Sequence, residues 1–216
     1  MDYRTVYQGG REEIVEKKSR FIAEVFPVET EEEALVFLEK TRKKYWDARH
    51  HCWAFVIGKE QTQERFSDDG EPGGTAGKPI LEVLRGQELC NVLLIVTRYF
   101  GGTLLGTGGL VRAYTKAAQS GLAASTLITK RTGYKLEIRT DYSTFGKLQY
   151  LLAEQKVPVA ETIYAEEVAV YVLVSDQEEQ NFTTSLIEAT NAQIKIQRDS
   201  ACCFACTEEG IVLFET

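Results

Sequence analysis

Two histidines, one methionine and four prolines are all that the 216 residues contain of these types, and no apolar run approaches the ~20 residues of a membrane span. The scarcity of proline, with 44% hydrophobic and 26% charged residues, excludes a disordered or low-complexity chain. His50 and His51 are sequence neighbours on an expected strand, where they point to opposite faces, so they cannot both ligate one metal. The N-terminal MDYRTVYQGGREEIVEKK has no apolar signal region, so a cytoplasmic protein without membrane association is expected. Five cysteines, odd in number and unevenly spaced, do not form a disulfide framework and are read as thiols in a reducing compartment.

What the chain does have is acidity, and it is unevenly spread. The net charge of -7 disfavours nonspecific binding to bare nucleic acid, which depends on counterions released by a positive face. Residues 1–133 hold 19 Lys+Arg against 18 Asp+Glu, about +1, whereas 134–216 hold 6 against 14, about -8. Length and charge together predict two domains, 1–130 and 134–216, with the break in TLITKRTG.

In the first half, RFIAEVFPV reads as a strand with Phe21, Ala23 and Val25 on one side. A helix follows, opened by a Thr30/Glu33 capping box and striped by Ala34, Leu35 and Leu38. HCWAFVIG is a strand, PILEVLRG a short helix, and NVLLIVTRYF a strand covered on both faces. LVRAYTKAAQSGLAAS is a helix with Leu110, Tyr114, Ala117 and Gly121 on one face and Arg112 and Lys116 on another. The second half reads β-α-β-β-α-β if residues 160–175 split into a hairpin, the ferredoxin-like order.

Two glycine-rich loops stand out, RFSDDGEPGGTAGKPIL (65–81) and RYFGGTLLGTGG (98–109). The first is not a P-loop, because Pro72 stands where its first glycine belongs and Pro79 where a hydroxyl should reach magnesium. The second is not a dinucleotide fingerprint, because Val111 replaces its third glycine. Both precede helices, where free N–H groups attract anions, and Arg98 and Arg112 add charge; tight turns with paired arginines are the plainer reading. Asp68, Asp69 and Glu71 are either Mg2+ ligands or turn acids. His50 and Cys52 share a strand face but lack an orienting third group, and Cys203-x-x-Cys206 lacks the second pair that zinc needs.

Taken together, FSDDGEP-x-GTAG-x-P, the A-x-H-x-C pattern at Ala48, His50 and Cys52, RYFGG-x-x-LG from Arg98 to Gly106 and the following GTGGLVRAY resemble the YigZ/IMPACT family over roughly residues 15–125. The resemblance implies an α+β (α/β) protein. Its N-terminal domain would be like the second domain of a small-subunit ribosomal protein, and its ferredoxin-like C-terminal domain like the last domain of elongation factor G. Eukaryotic relatives restrain a starvation-responsive kinase by competing for its ribosome-associated activator; they have an additional N-terminal domain that this sequence lacks, so kinase control is not carried over. For bacterial members the family implies a translation-linked regulatory or binding role.

The leading expectation is therefore a cytoplasmic protein, not an enzyme and without a cofactor, that binds the ribosome, RNA or a ribosome-associated protein. Lys78, Arg98, Arg112 and Lys116 would meet phosphates. Gly70, Gly74, Gly77, Gly101, Gly102 and Gly106 would admit backbone, with His50 beside them; Tyr99 and Phe100 either stack a base or, as aromatics at a strand end more commonly do, pack in the core. The alternative is an enzyme acting on a phosphorylated or carboxylated small molecule, with Asp68, Asp69 or Glu71 as base or Mg2+ ligands and Arg98 as anion clamp. A third reading is an adaptor that binds protein through the C-terminal sheet.

Overall fold

The protein is described from a computed structural model covering residues 2–59 and 62–214. It divides into two compact units, Tyr3–Ile128 and Asp2 with residues 129–214, each an antiparallel sheet with helices, hence α+β.

The first unit runs β1 (Tyr3–Gln8), β2 (Arg11–Glu16), β3 (Ser19–Pro27), α1 (Glu31–Lys44), β4 (His50–Ile57), β5 (Gln63–Ser67), α2 (Gly77–Gly86), β6 (Val92–Tyr99) and α3 (Thr107–Ala123). Its sheet has the order β2-β3-β6-β4-β5, every neighbour antiparallel. The unbroken apolar run of β6 is explained by two cores. Val92, Leu94 and Val96 pack with Ile80 and Leu84 of α2 and Tyr114 of α3, while Leu93 and Ile95 pack with Ala34 and Leu38 of α1. Phe21, Ala23 and Val25 share the α2/α3 side.

Thr30 caps α1 by accepting the Glu33 N–H at 3.2 Å. The Glu33 carboxylate reaches back to the Glu29 N–H at 2.7 Å, one residue earlier than the usual capping box. Leu35, expected in the apolar stripe, is 47% exposed; the buried face is Ala34, Leu38 and Thr41, which follow the i, i+4, i+7 spacing. Pro79 sits in the first turn of α2, where its missing N–H leaves no bond unmade.

The second unit runs β7 (Thr126–Thr140, whose first residues belong to the first unit), α4 (Tyr142–Glu154), β8 (Val159–Tyr164), β9 (Val168–Ser175), α5 (Glu179–Ala189), β10 (Lys195–Thr207) and β11 (Gly210–Phe214). The sheet order β11-β10-β7-β9-β8 contains the ferredoxin-like arrangement, with the expected hairpin formed by β8 and β9. Val168, Val170 and Val172 pack on Leu148 and Leu152 of α4 and Phe182 and Leu186 of α5.

The boundary between the units, after Ile128, falls within TLITKRTG as expected, but the segment is the first part of the continuous strand β7 rather than a linker. The cysteine-rich CCFAC is strand too, because β10 continues past Gln197 to pair with both β7 and β11. Among the described residues no helix is long and apolar enough to cross a membrane.

Candidate functional site

The two glycine loops meet through charge. Strand β5 takes the first residues of RFSDDGEPGGTAGKPIL, and the chain then turns through 68–76 into α2. The Asp68 carboxylate lies over the start of that helix. Its Oδ1 accepts the N–H groups of Ala76 and Gly77, each at 2.9 Å, and its Oδ2 that of Gly74 at 2.8 Å. The anion that a helix N-terminus attracts is thus supplied by the loop itself. Gly77 cannot carry a side chain, since a Cβ there would lie 2.6 Å from the Ser67 carbonyl oxygen.

Asp69 turns the other way, with φ +41°, followed by Gly70 at +86°. Its Oδ1 meets Arg42 Nη2 of α1 at 3.2 Å, its Oδ2 accepts the His51 N–H at 2.7 Å, and its carbonyl oxygen lies 2.9 Å from His50 Nδ1. His51 itself is buried, with Nδ1 3.1 Å from Thr97 Oγ1. Burial holds its imidazole below the ordinary value, against the opposing pull of Asp69.

Glu71 reaches inward. Its Oε1 accepts from Arg98 Nη1 at 2.6 Å and from Tyr114 Oη at 2.8 Å, and the two charged side chains are only 4% and 6% exposed. Arg98 Nη2 also contacts Ser19 Oγ at 3.4 Å, and Ser19 Oγ accepts the Gly101 N–H at 3.1 Å. The guanidinium lies 5.4 Å from the Phe21 ring and 5.6 Å from that of Phe100. Gly101 is the second obligatory glycine, because a Cβ there would overlap the Lys18 backbone. A buried ion pair therefore joins GEP of one loop to RYFGG of the other.

Around this pair the nucleophile candidate is silenced. Cys52 Sγ sits 3.0 Å from the Asp68 carbonyl oxygen and 3.3 Å from Tyr114 Oη. Burial pushes the Cys52 thiol far up, despite the Tyr114 hydrogen bond, so it stays protonated. Burial likewise pushes the Tyr114 phenol up, aided by Cys52 and Glu71.

The remaining expected residues separate into engaged and free. Tyr99 donates to Asp47 at 2.7 Å under the Arg20 guanidinium, and burial with the Asp47 carboxylate pushes its phenol up to about 12. Lys116 pairs with Glu16 at 2.9 Å. Gly74, Gly102 and Gly106 take positive φ in open space. Arg112 is exposed beside Gly108, and Lys78 is exposed at a cavity of about 580 Å³ between α2 and α3 that Val83, Val111 and Gln119 also line. Neither makes an ion pair among the described residues. Asp68, Asp69 and Glu71 thus face three different sets of partners and do not converge on an open pocket. Among the described residues no three His, Cys, Asp or Glu side chains gather as a metal site requires.

Sequence reasoning missed Ser19, Arg42 and Asp47, for which no motif gives a signal. Tyr114 lay within GTGGLVRAY and on the apolar face of α3, but its hydroxyl partner was not foreseeable from that spacing.

Comparison with known proteins follows this division into units. The Impact N-terminal domain family matches residues 17–122, and a domain of unknown function, DUF1949, matches 138–193. The IMPACT family member YvyE of Bacillus subtilis is 40% identical over 195 residues, 90% of each chain. YigZ of Escherichia coli is 35% identical, over 83% of this chain and 89% of its own. A solved structure described as a hypothetical protein superposes with a TM-score of 0.59 at 31% identity, covering 92% of this chain and 98% of that one. Identity of this extent, over both units and with the two loops inside the matched region, makes the chain a member of the IMPACT family.

Proposed function

We propose that the chain is a translation-linked regulatory protein of the cytoplasm that binds the ribosome, through its RNA or an associated protein, with the loop-bearing surface of the first unit. One observation carries the reading. The acids of the first loop are spent on the second loop's Arg98, on Arg42 and Tyr114 of the flanking helices and on the backbone, which braces the loop surface and leaves none of the three at an open reaction pocket. What is left outward suits binding: the cations Lys78 and Arg112, and the apolar Phe100 and Leu104, which are 48% and 83% exposed. The half that carries this surface is also the half without an acidic excess. Family membership supports a role connected with translation, and five free thiols support a reducing compartment.

Ribosome co-sedimentation at low and raised salt tests it, comparing wild type with the double variant Lys78→Ala, Arg112→Ala. Both side chains are exposed, so the variant keeps its fold. If the two cations meet single-stranded phosphates, the slope of log affinity against log salt is expected to fall by roughly 1.4. Wild type that neither ribosomes nor RNA retain at low salt would end the proposal.

A further inference from the structure

The sheet order of the second unit leaves β8 at an edge. One side of the strand is bonded to β9, from Val159↔Val172 to Tyr164↔Val168, and the other has no strand beside it among the described residues. Natural edges are blunted by lysine, by proline within the strand or by a bulge. VAETIY contains no Lys, Arg or Pro, and its register shift lies between Val159 and Glu161, so 161–164 stays regular. Three of its exposed side chains are large and apolar: Val159, Ile163 and Tyr164 are 41%, 43% and 61% exposed. Aromatic surface continues onto α4. Tyr164 packs edge-on against Phe145 at 5.7 Å, and Tyr142, itself 57% exposed, donates to the Ala165 carbonyl at 2.8 Å.

Charge selects among occupants. From Glu154 to Glu167 the chain carries Glu154, Glu161, Glu166 and Glu167 against a single basic residue, Lys156. The surrounding half has the acidic excess of 14 to 6. Nucleic acid and acidic peptides are repelled here, and cationic ones attracted.

We propose that β8 is a docking edge that accepts an extended, lysine- or arginine-bearing segment of a protein partner as an added strand. Main-chain hydrogen bonds along 161–164 supply affinity. Alternation supplies selectivity, with Glu161 and Ile163 reading one face of the incoming segment and Thr162 and Tyr164 the other. The site lies wholly in the second unit and does not depend on the ribosome-binding surface of the first.

The test uses the full chain and a short labelled peptide alternating lysine with valine, beside a counterpart with glutamate in place of lysine. Anisotropy should show saturable binding of the basic peptide, about tenfold tighter than the acidic one. Hydrogen exchange should slow at β8 amides. Ile163→Lys, at an exposed position, should weaken binding about fivefold by placing like charge against the peptide. Leu213→Lys on the opposite edge strand β11, where Leu213 is 60% exposed, should not. Equal binding of both peptides, no binding of the basic one, protection elsewhere than β8, or an Ile163→Lys variant that melts and binds like wild type would each overturn the proposal. So would a concentration-dependent dimer abolished by Ile163→Lys, which would assign the edge to a second copy of the chain.

Discussion

Glu71 and Arg98 are separated by 27 residues, and their contact decides what the signature loops are. A carboxylate inside a glycine-rich turn is an ordinary feature of a solvated loop. Here it is taken out of water with an arginine, and the tyrosine hydroxyl completes its coordination. Breaking such a pair strands a charge in the interior. Glu71→Ala is accordingly expected to lower stability by about 3–5 kcal/mol, whereas Lys116→Ala, which removes an exposed pair with Glu16, should change it by less than about 1 kcal/mol. Urea unfolding of the two variants checks the contrast, and similar losses in both would refute the buried role of Glu71. At this scale the sequence shows an acid-rich turn and an arginine at a strand end. It does not show that they meet, because the meeting needs β4 and β6 in register, with His50 opposite Arg98.

The elements were more legible, because capping, proline placement and apolar spacing act within a few residues. The Thr30 cap of α1, Pro79 in α2 and the doubly buried β6 all follow from local chemistry. The hairpin β2–β3 did not, and its turn shows why. Lys17 and Lys18 occupy a two-residue turn with φ of +45° and +69°, a conformation that asparagine and glycine usually mark. Lys18→Gly is therefore expected to stabilise the protein by about 1 kcal/mol by relieving the left-handed strain. A rise in the urea midpoint at unchanged slope is the measurement, and a fall would show that the lysine side chain contributes more than the strain costs. The same turn lies against Gly101, so it helps set the position of the second loop.

Across the whole molecule, the buried side chains form separate cores. The hydrophobic clusters of the first unit draw on residues 3–127 and that of the second on 134–196, with Phe204 and Ala205 of β10 buried besides. Leu148 is fully buried in the latter, and Leu148→Ala should cost about 2.7–5 kcal/mol there. Hydrogen exchange is the discriminating measurement: β9 amides should lose protection while β6 amides keep theirs. Equal losses in both strands would mean that the two cores unfold as one. Charge follows the same division, and it assigns the two proposed surfaces to different partners, a phosphate-bearing one for the first unit and a cationic peptide for the second.

The sequence by itself determined the two-part organisation, the helices and central strands, the acidic second half and the family, because periodicity, caps and ordered motifs are properties of neighbouring residues. The tertiary structure decided which groups the glycine loops hold. Asp68 closes the start of α2, Asp69 ties α1 to β4, and Glu71 locks Arg98, while Lys78 and Arg112 stay outside. The reason is that hydrogen bonds and ion pairs across tens of residues depend on strand register and helix packing. The apolar and acidic letters of VAETIY likewise became an open edge only once β9 and not another strand lay beside them.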